Sequence, residues 1–215
     1  MRKRESSDNM RIRNIKNADE IIKDNKYIIE NPERYKGHYQ ELFNNNNEIH
    51  LEIGMGKGDF IISKALNNPD INFIGLEKYT SIVARAVKKL EDLDLPNLKI
   101  INGDALNLNN IFEKEISTIY LNFSDPWPKN RHENRRLTSK LFLEKYKNIF
   151  KDKERIEVRT DNRDFFLYSV ESLGDMGYLL NDVSFNYQAP DLIMTEYESK
   201  FRGKGANIYH LFAEK

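Results

Sequence analysis

Three groups of residues in this 215-residue chain have the types and spacing of a reactive site. The first is Leu51-Glu52-Ile53-Gly54-Met55-Gly56-Lys57-Gly58, an apolar run that ends in closely spaced glycines. Without a Cβ, glycine lets the backbone approach a ligand. Where such a turn joins a strand to a helix in an open α/β sheet, it lies at the ligand-binding edge. The second is Glu77, which closes the next apolar run about twenty residues on, where a carboxylate can accept both hydroxyls of a ribose. The glycines fall as G-x-G-x-G, not as the dinucleotide pattern G-x-G-x-x-G, and Glu52 stands directly ahead of them. A carboxylate there repels a diphosphate, so S-adenosylmethionine, with its sulfonium and ammonium, suits the turn better than NAD. Asp104, in Asn102-Gly103-Asp104-Ala105, can bond an adenine amino group or simply cap a helix.

The third group is Phe123-Ser124-Asp125-Pro126-Trp127-Pro128-Lys129. Pro126 and Pro128 fix the backbone and forbid a helix or a central strand, so Asp125 and Trp127 stand on a rigid loop. Such a loop at the end of a central strand resembles the Asp/Asn-Pro-Pro-Tyr/Trp loop of methyltransferases that act on base nitrogens. Directly after it, Lys129, Arg131, Arg135 and Arg136 outnumber Glu133, with His132 among them. Arginine makes bidentate contacts to phosphate, so a basic stretch beside a reactive loop points to a nucleic acid. Two rival classes remain: a small-molecule methyltransferase, against which the basic stretch argues, and a non-catalytic RNA-binding module, which a test for S-adenosylmethionine binding distinguishes.

The elements that must carry these groups follow from periodicity. Strands are expected at Ile49–Ile53, Asn72–Glu77, Leu98–Asn102, Thr118–Phe123 and Arg155–Thr160. Ile82, Val83, Ala86, Val87 and Leu90 recur at helical spacing, as do Phe142, Tyr146, Ile149 and Phe150, with Ser81 and Ser139 as expected N-caps. A further helix carries Phe165, Phe166, Val170 and Leu173. Late strands at Tyr178–Tyr187 and Asn207–Phe212 enclose a polar loop, and pairing between them would put one antiparallel strand into the sheet. Asn44 to Asn47 read as a turn ahead of the first strand. The sum is an α/β fold, a mostly parallel sheet covered on both faces.

Composition narrows the function. The chain has 34 Lys+Arg, 34 Asp+Glu, a mean hydropathy of −0.72, 12 Phe, 11 Tyr and a single Trp. Zero net charge excludes a wholly cationic polyanion binder but not a local basic patch. The absence of cysteine excludes disulfides, thiolate nucleophiles and Cys-based zinc sites. No apolar run approaches the roughly 18 residues of a membrane span. The N-terminus is basic without the apolar stretch of a secretory signal, so a cytoplasmic protein is expected. Arg2, Lys3, Arg4, Arg11 and Arg13 against Glu5 and Asp8 mark residues 1–16 as a basic arm, followed by one domain over 17–215.

Taken in order, these motifs match a family. Glu52 to Gly58, Gly75-Leu76-Glu77-Lys78-Tyr79, Ser124 to Lys129 with Arg131-His132 and Arg135-Arg136-Leu137, Arg159-Thr160-Asp161, and Thr195-Glu196-Tyr197-Glu198-Ser199-Lys200-Phe201 together resemble the bacterial tRNA (guanine-N7)-methyltransferases. The resemblance runs across nearly the whole chain. It implies a Rossmann-like class I methyltransferase fold, with a mostly parallel seven-stranded sheet and helices on both faces. It also implies methyl transfer from S-adenosylmethionine to N7 of guanosine 46 in the variable loop of tRNA, by a monomer or homodimer with no membrane partner and no metal. Carried onto this chain, the cofactor positions are Glu52, Gly54, Gly56, Glu77, Asp104 and Asp125, with Asp125 also the catalytic candidate. The substrate positions are Lys129, Asp161, Thr195, Glu196, Tyr197 and Glu198. Arg131, His132, Glu133, Asn134, Arg135 and Arg136 form the RNA-contacting stretch. Asp125 can hold the guanine Watson–Crick edge or the cofactor amine, and Asp161 and Glu198 can accept from guanine N1 and its exocyclic amine.

Overall fold

The structure, a computed structural model, describes residues 15–188, 198, 202–203 and 205–215. Most of the basic arm, and Thr195, Glu196 and Tyr197, lie outside the described residues. Two short helices, α1 (Ala18–Ile22) and α2 (Tyr39–Phe43), precede the alternating part of the chain. There β1 (Ile49–Ile53), α3 (Asp59–Asn67), β2 (Asn72–Glu77), α4 (Thr80–Lys89) and β3 (Leu98–Asn102) follow one another. Then come α5 (Leu108–Ile111), β4 (Ile116–Asn122), α6 (Lys140–Ile149), β5 (Arg155–Thr160), α7 (Arg163–Asp175), β6 (Leu179–Ser184) and β7 (Tyr209–Glu214).

The seven strands form one sheet in the order β3-β2-β1-β4-β5-β7-β6. β1 to β5 pair in parallel, and β7 runs antiparallel to both β5 and β6. Every residue of β1, β2 and β4 is buried, as expected for strands covered on both faces. On one face, Leu51, Ile119, Leu121, Ile156 and Val158 pack against Phe142 and Tyr146 of α6 and Phe165 and Phe166 of α7. On the other, Phe73, Leu98 and Ile100 meet Phe60 and Ile61 of α3 and Val83 and Val87 of α4. The chain steps outward from β1 through β2 to β3, then returns to β4 on the other side of β1. That reversal opens a crevice at the carboxyl ends of β1 and β4, where open α/β sheets bind ligands. The outer edge of β3 is covered: Ile29 N donates to Ile100 O (2.9 Å), and Ile100 N donates to Tyr27 O (2.7 Å).

Several expectations are corrected. Ser81 is not an N-cap: α4 starts at Thr80 behind Tyr79, and Ser81 is buried within the helix. β4 runs from Ile116 to Asn122 and stops short of Phe123, whose φ of +51° is incompatible with a strand. Ser139 does precede α6, although its hydroxyl makes no capping bond to that helix. Among the described residues, no helix is long and apolar enough to cross a membrane.

Candidate active site

A cleft of about 690 Å³ occupies the crevice at the carboxyl ends of β1 to β4. Gly54, Gly56, Glu77, Asp104, Asp125, Asn134 and Arg135 all line it, so residues from all three sequence groups meet in one space. The turn after β1 needs its glycines: Gly54 and Gly56 stand at φ +75° and +57°, and a Cβ on either would point into open space. Gly54 N and Met55 N both donate to Leu76 O (2.8 and 3.2 Å), which ties the turn to β2. Glu77 closes the arrangement, its Oε2 accepting from Gly56 N (3.1 Å) and its Oε1 from Tyr79 N (2.9 Å). Burial pushes the Glu77 carboxyl above its ordinary range against these amides, and the Asp125 charge adds to the rise. Asp104 caps the turn that follows it, accepting from Leu106 N (2.9 Å), and pairs with Lys78 Nζ at 2.8 Å. Burial opposes its ionisation, but the Leu106 amide and Lys78 outweigh it and hold the carboxyl below its usual value.

Glu52 does not line this cleft. It is 1% exposed at the end of β1, and Asn122 Nδ2 donates to its Oε1 at 2.9 Å. Glu52 Oε2, Asn122 Oδ1 and Ser124 Oγ are buried without a hydrogen-bond partner among the described residues. Burial raises the Glu52 carboxyl to about 8, only partly countered by Asn122 and Arg159. All three atoms can accept, and a ligand ammonium would supply N–H groups to them and favour the ionised form of Glu52. The residues therefore fit the cationic end of S-adenosylmethionine, and Glu77 fits its ribose.

Beyond β4 the chain enters the Asp-Pro-Trp-Pro loop. Phe123 N donates to Arg159 O (2.7 Å), which extends the pairing with β5. Asp125 is exposed at the rim of the cleft, and Trp127 is half-buried at φ +41°. The indole meets His132 edge-on at 5.6 Å, and the Arg135 guanidinium lies 4.8 Å from its centroid. His132 is held below its ordinary pKa by desolvation, then by Arg135, Arg131 and Lys129, so it stands neutral at physiological pH. Lys129 and Arg131 are exposed, and Glu133 accepts from the Tyr168 hydroxyl (3.1 Å). Arg136 instead donates to the carbonyls of Pro126 and Trp127.

On the α3 face, β5 and β7 carry a buried charged cluster. Arg159, 2% exposed, reaches Glu157 through Nη2 (2.7 Å) and lies 5.1 Å from the rings of both Phe60 and Tyr187. Glu157 also lies 3.3 Å from His210 Nε2; burial opposes its ionisation, yet the hydrogen bond from His210 and the Arg159 charge draw its pKa down to about 2. Glu198 is fully buried, its Oε1 accepting from Arg202 Nε and Nη2 (2.9 and 2.6 Å) and its Oε2 lying 3.9 Å from Arg159 Nη1. Asp161 follows β5 directly and is half-buried. Asp161, Lys129 and Glu198 are not among the residues that line the cleft.

Asn122, Ser124 and Tyr168 are functional candidates that the sequence reading passed over. Asn122 had a visible signal, a polar residue at the end of a buried apolar run. Arg202 had one too, standing four residues beyond Glu198. Tyr168 had none, because its partner Arg136 is remote in sequence.

Comparison with known proteins agrees with this geometry. The family model described as "Putative methyltransferase" matches residues 46–211. The tRNA (guanine-N(7)-)-methyltransferase of Lachnoclostridium phytofermentans is 46% identical over 95% of this chain and 98% of its own length. Its namesake from a Geobacillus species is 49% identical over 93% of each chain. Among solved structures, an antibiotic-related methyltransferase superposes with a TM-score of 0.66 at 15% identity, covering 89% of this chain and 97% of that one. The 16S rRNA methyltransferase KamB gives 0.63 at 14% identity, over 83% and 92%. At that identity the two structures speak for the fold alone, the class I methyltransferase fold expected from the motifs. With the sequence relatives covering almost the whole chain, the cleft, its acids and the Asp125 loop belong to a member of the tRNA (guanine-N(7)-)-methyltransferase family.

Proposed function

We propose that this protein transfers the methyl group of S-adenosylmethionine to N7 of guanosine 46 in the variable loop of tRNA. The observation that carries the reading is a single cleft lined by Glu77, Asp104, Asp125 and Arg135 together. Glu77 would hold the ribose, Asp104 the adenine amine, and Glu52, Asn122 and Ser124 the ammonium. When bound, S-adenosylmethionine supplies an electrophilic methyl group on a sulfonium. Guanine N7 has an in-plane lone pair and no proton, so no base is needed to generate the nucleophile. The chain must align the base and stabilise a ring that becomes cationic, and Asp125 at the cleft rim has the charge for it. Asp161 and the segment of Thr195, Glu196, Tyr197 and Glu198 are proposed to orient the base, with Lys129, Arg131 and Arg135 on the phosphates. In this structure the Glu198 carboxylate is held by Arg202, so its contribution to the base requires that pair to open.

Incubating tRNA with the protein and isotopically labelled cofactor, then mapping the modified nucleotide by mass spectrometry, tests the assignment. Label at N7 of guanosine 46 is expected; label elsewhere, or none, sinks it. The electrostatic account of Asp125 has its own test. Single-turnover methylation should run at nearly the same rate in heavy and light water at matched pL. A clearly slower rate in heavy water would mean that a proton moves with the methyl group.

A further inference from the structure

The basic stretch after the loop does not present all its arginines to solvent. Arg131 and Arg135 are exposed, whereas Arg136 is half-buried and turned toward the protein. Its Nε donates to Pro126 O (3.2 Å) and Trp127 O (3.3 Å), and its Nη2 to Trp127 O (3.1 Å). Its guanidinium lies over the Tyr168 ring, 4.2 Å from the centroid, and the Tyr168 hydroxyl donates to Glu133 Oε1. The two carbonyls that Arg136 grips belong to the residues immediately after Asp125.

That loop has reason to need an external clamp. Phe123 and Trp127, both bulky, stand at positive φ, a conformation that persists only where the surroundings enforce it. Pro126 and Pro128 lack N–H groups, so the loop has few amides with which to satisfy its own carbonyls. A planar guanidinium can donate to two neighbouring carbonyls and stack on a ring at once, which the point charge of lysine cannot.

We propose that Arg136 is a positioning residue for Asp125, fixing the Asp-Pro-Trp-Pro loop through its carbonyls with Tyr168 as the seat, and that it makes no phosphate contact. The proposal rests on the roles given above to Asp125 and tRNA, so one arm of its test does not depend on methyl transfer. Trp127 is the sole tryptophan of the chain, and its fluorescence therefore reports on the loop directly. In Arg136→Ala, quenching of that fluorescence by iodide should increase, whether or not the protein methylates tRNA. Single-turnover methylation at saturating tRNA and cofactor should fall about a hundred-fold, the usual effect of a misplaced reacting group. The salt dependence of tRNA binding should keep its slope, while Arg131→Ala flattens it by about 0.7. Arg136→Lys should fail to restore the rate despite its charge. Tyr168→Leu, which removes the seat and leaves the guanidinium, should shift quenching and rate in the same direction by less. Unchanged quenching in Arg136→Ala, a flattened salt slope in that variant, or full rescue by lysine would each overturn the proposal.

Discussion

Both oxygens of Glu77 are already aimed by backbone amides, from Gly56 and Tyr79, so the carboxylate meets a ligand in a fixed orientation. Replacing it by alanine removes charge-assisted acceptance worth roughly 1.5–3 kcal/mol, and calorimetric titration should show S-adenosylmethionine affinity about ten- to a hundred-fold weaker. Unchanged affinity would take Glu77 out of the site. Glu52 answers to pH instead. Its carboxyl sits near 8 in the folded protein against an ordinary 4.5, chiefly because it is buried. Below the ordinary value it is protonated folded or unfolded, and its contribution to stability is fully present. As pH rises through 8 the folded state must carry the charge, and that contribution is lost. At 1.36 kcal/mol per unit the loss is on the order of a few kcal/mol. Urea unfolding at pH 5.5 and 8.5 should therefore show Glu52→Gln gaining on the native protein at the higher pH, with saturating cofactor narrowing the difference. Parallel pH profiles for the two proteins would refute it.

Asp161 takes its place from the two elements it joins. Asn162 N donates to Thr160 Oγ1 (3.1 Å), and Asn162 Oδ1 in turn accepts from Phe165 N (2.8 Å), capping α7. Asn162→Ala should lower stability by about 1 kcal/mol by urea denaturation, as loss of an N-cap usually does; no change would mean that α7 is held by packing alone. The ends of β1, β2, β3 and β5 fall where the sequence puts them, because each apolar run stops at a glycine, an acid or a capped turn. The late strands moved. Tyr178 is spent closing α7, its N–H donating to Leu173 O, and β7 begins at Tyr209 rather than Asn207. The cleft was legible for the same reason as the strands, since Glu77 ends β2 and Asp104 and Asp125 follow the ends of β3 and β4. What was hidden depends on contacts between distant residues: Arg136 on Tyr168, Glu52 on Asn122, Arg159 between Phe60 and Tyr187. Nothing in local spacing distinguishes an arginine that reaches phosphate from one that reaches a carbonyl.

Strand order matters most at the level of the whole sheet. β7 lies between β5 and β6, so among the described residues β6 pairs with no other strand. A chain stopped after Ile208 should lose its cooperative unfolding transition and bind a hydrophobic dye, and a retained transition would show that β1 to β5 stand alone with their helices. The same placement has a consequence for synthesis. Emerging from the ribosome, β1 to β5 can pair as they appear, but β6 waits for residues that follow it. At about 5–20 residues per second, the stretch from Ser184 to Tyr209 takes on the order of a second to appear. Throughout that second the nascent chain shows an unpaired edge on β5 and a stranded β6. A slow codon or a stall inside that stretch would hold it at its most adhesive stage, with chaperones competing against neighbouring chains for the same open edge.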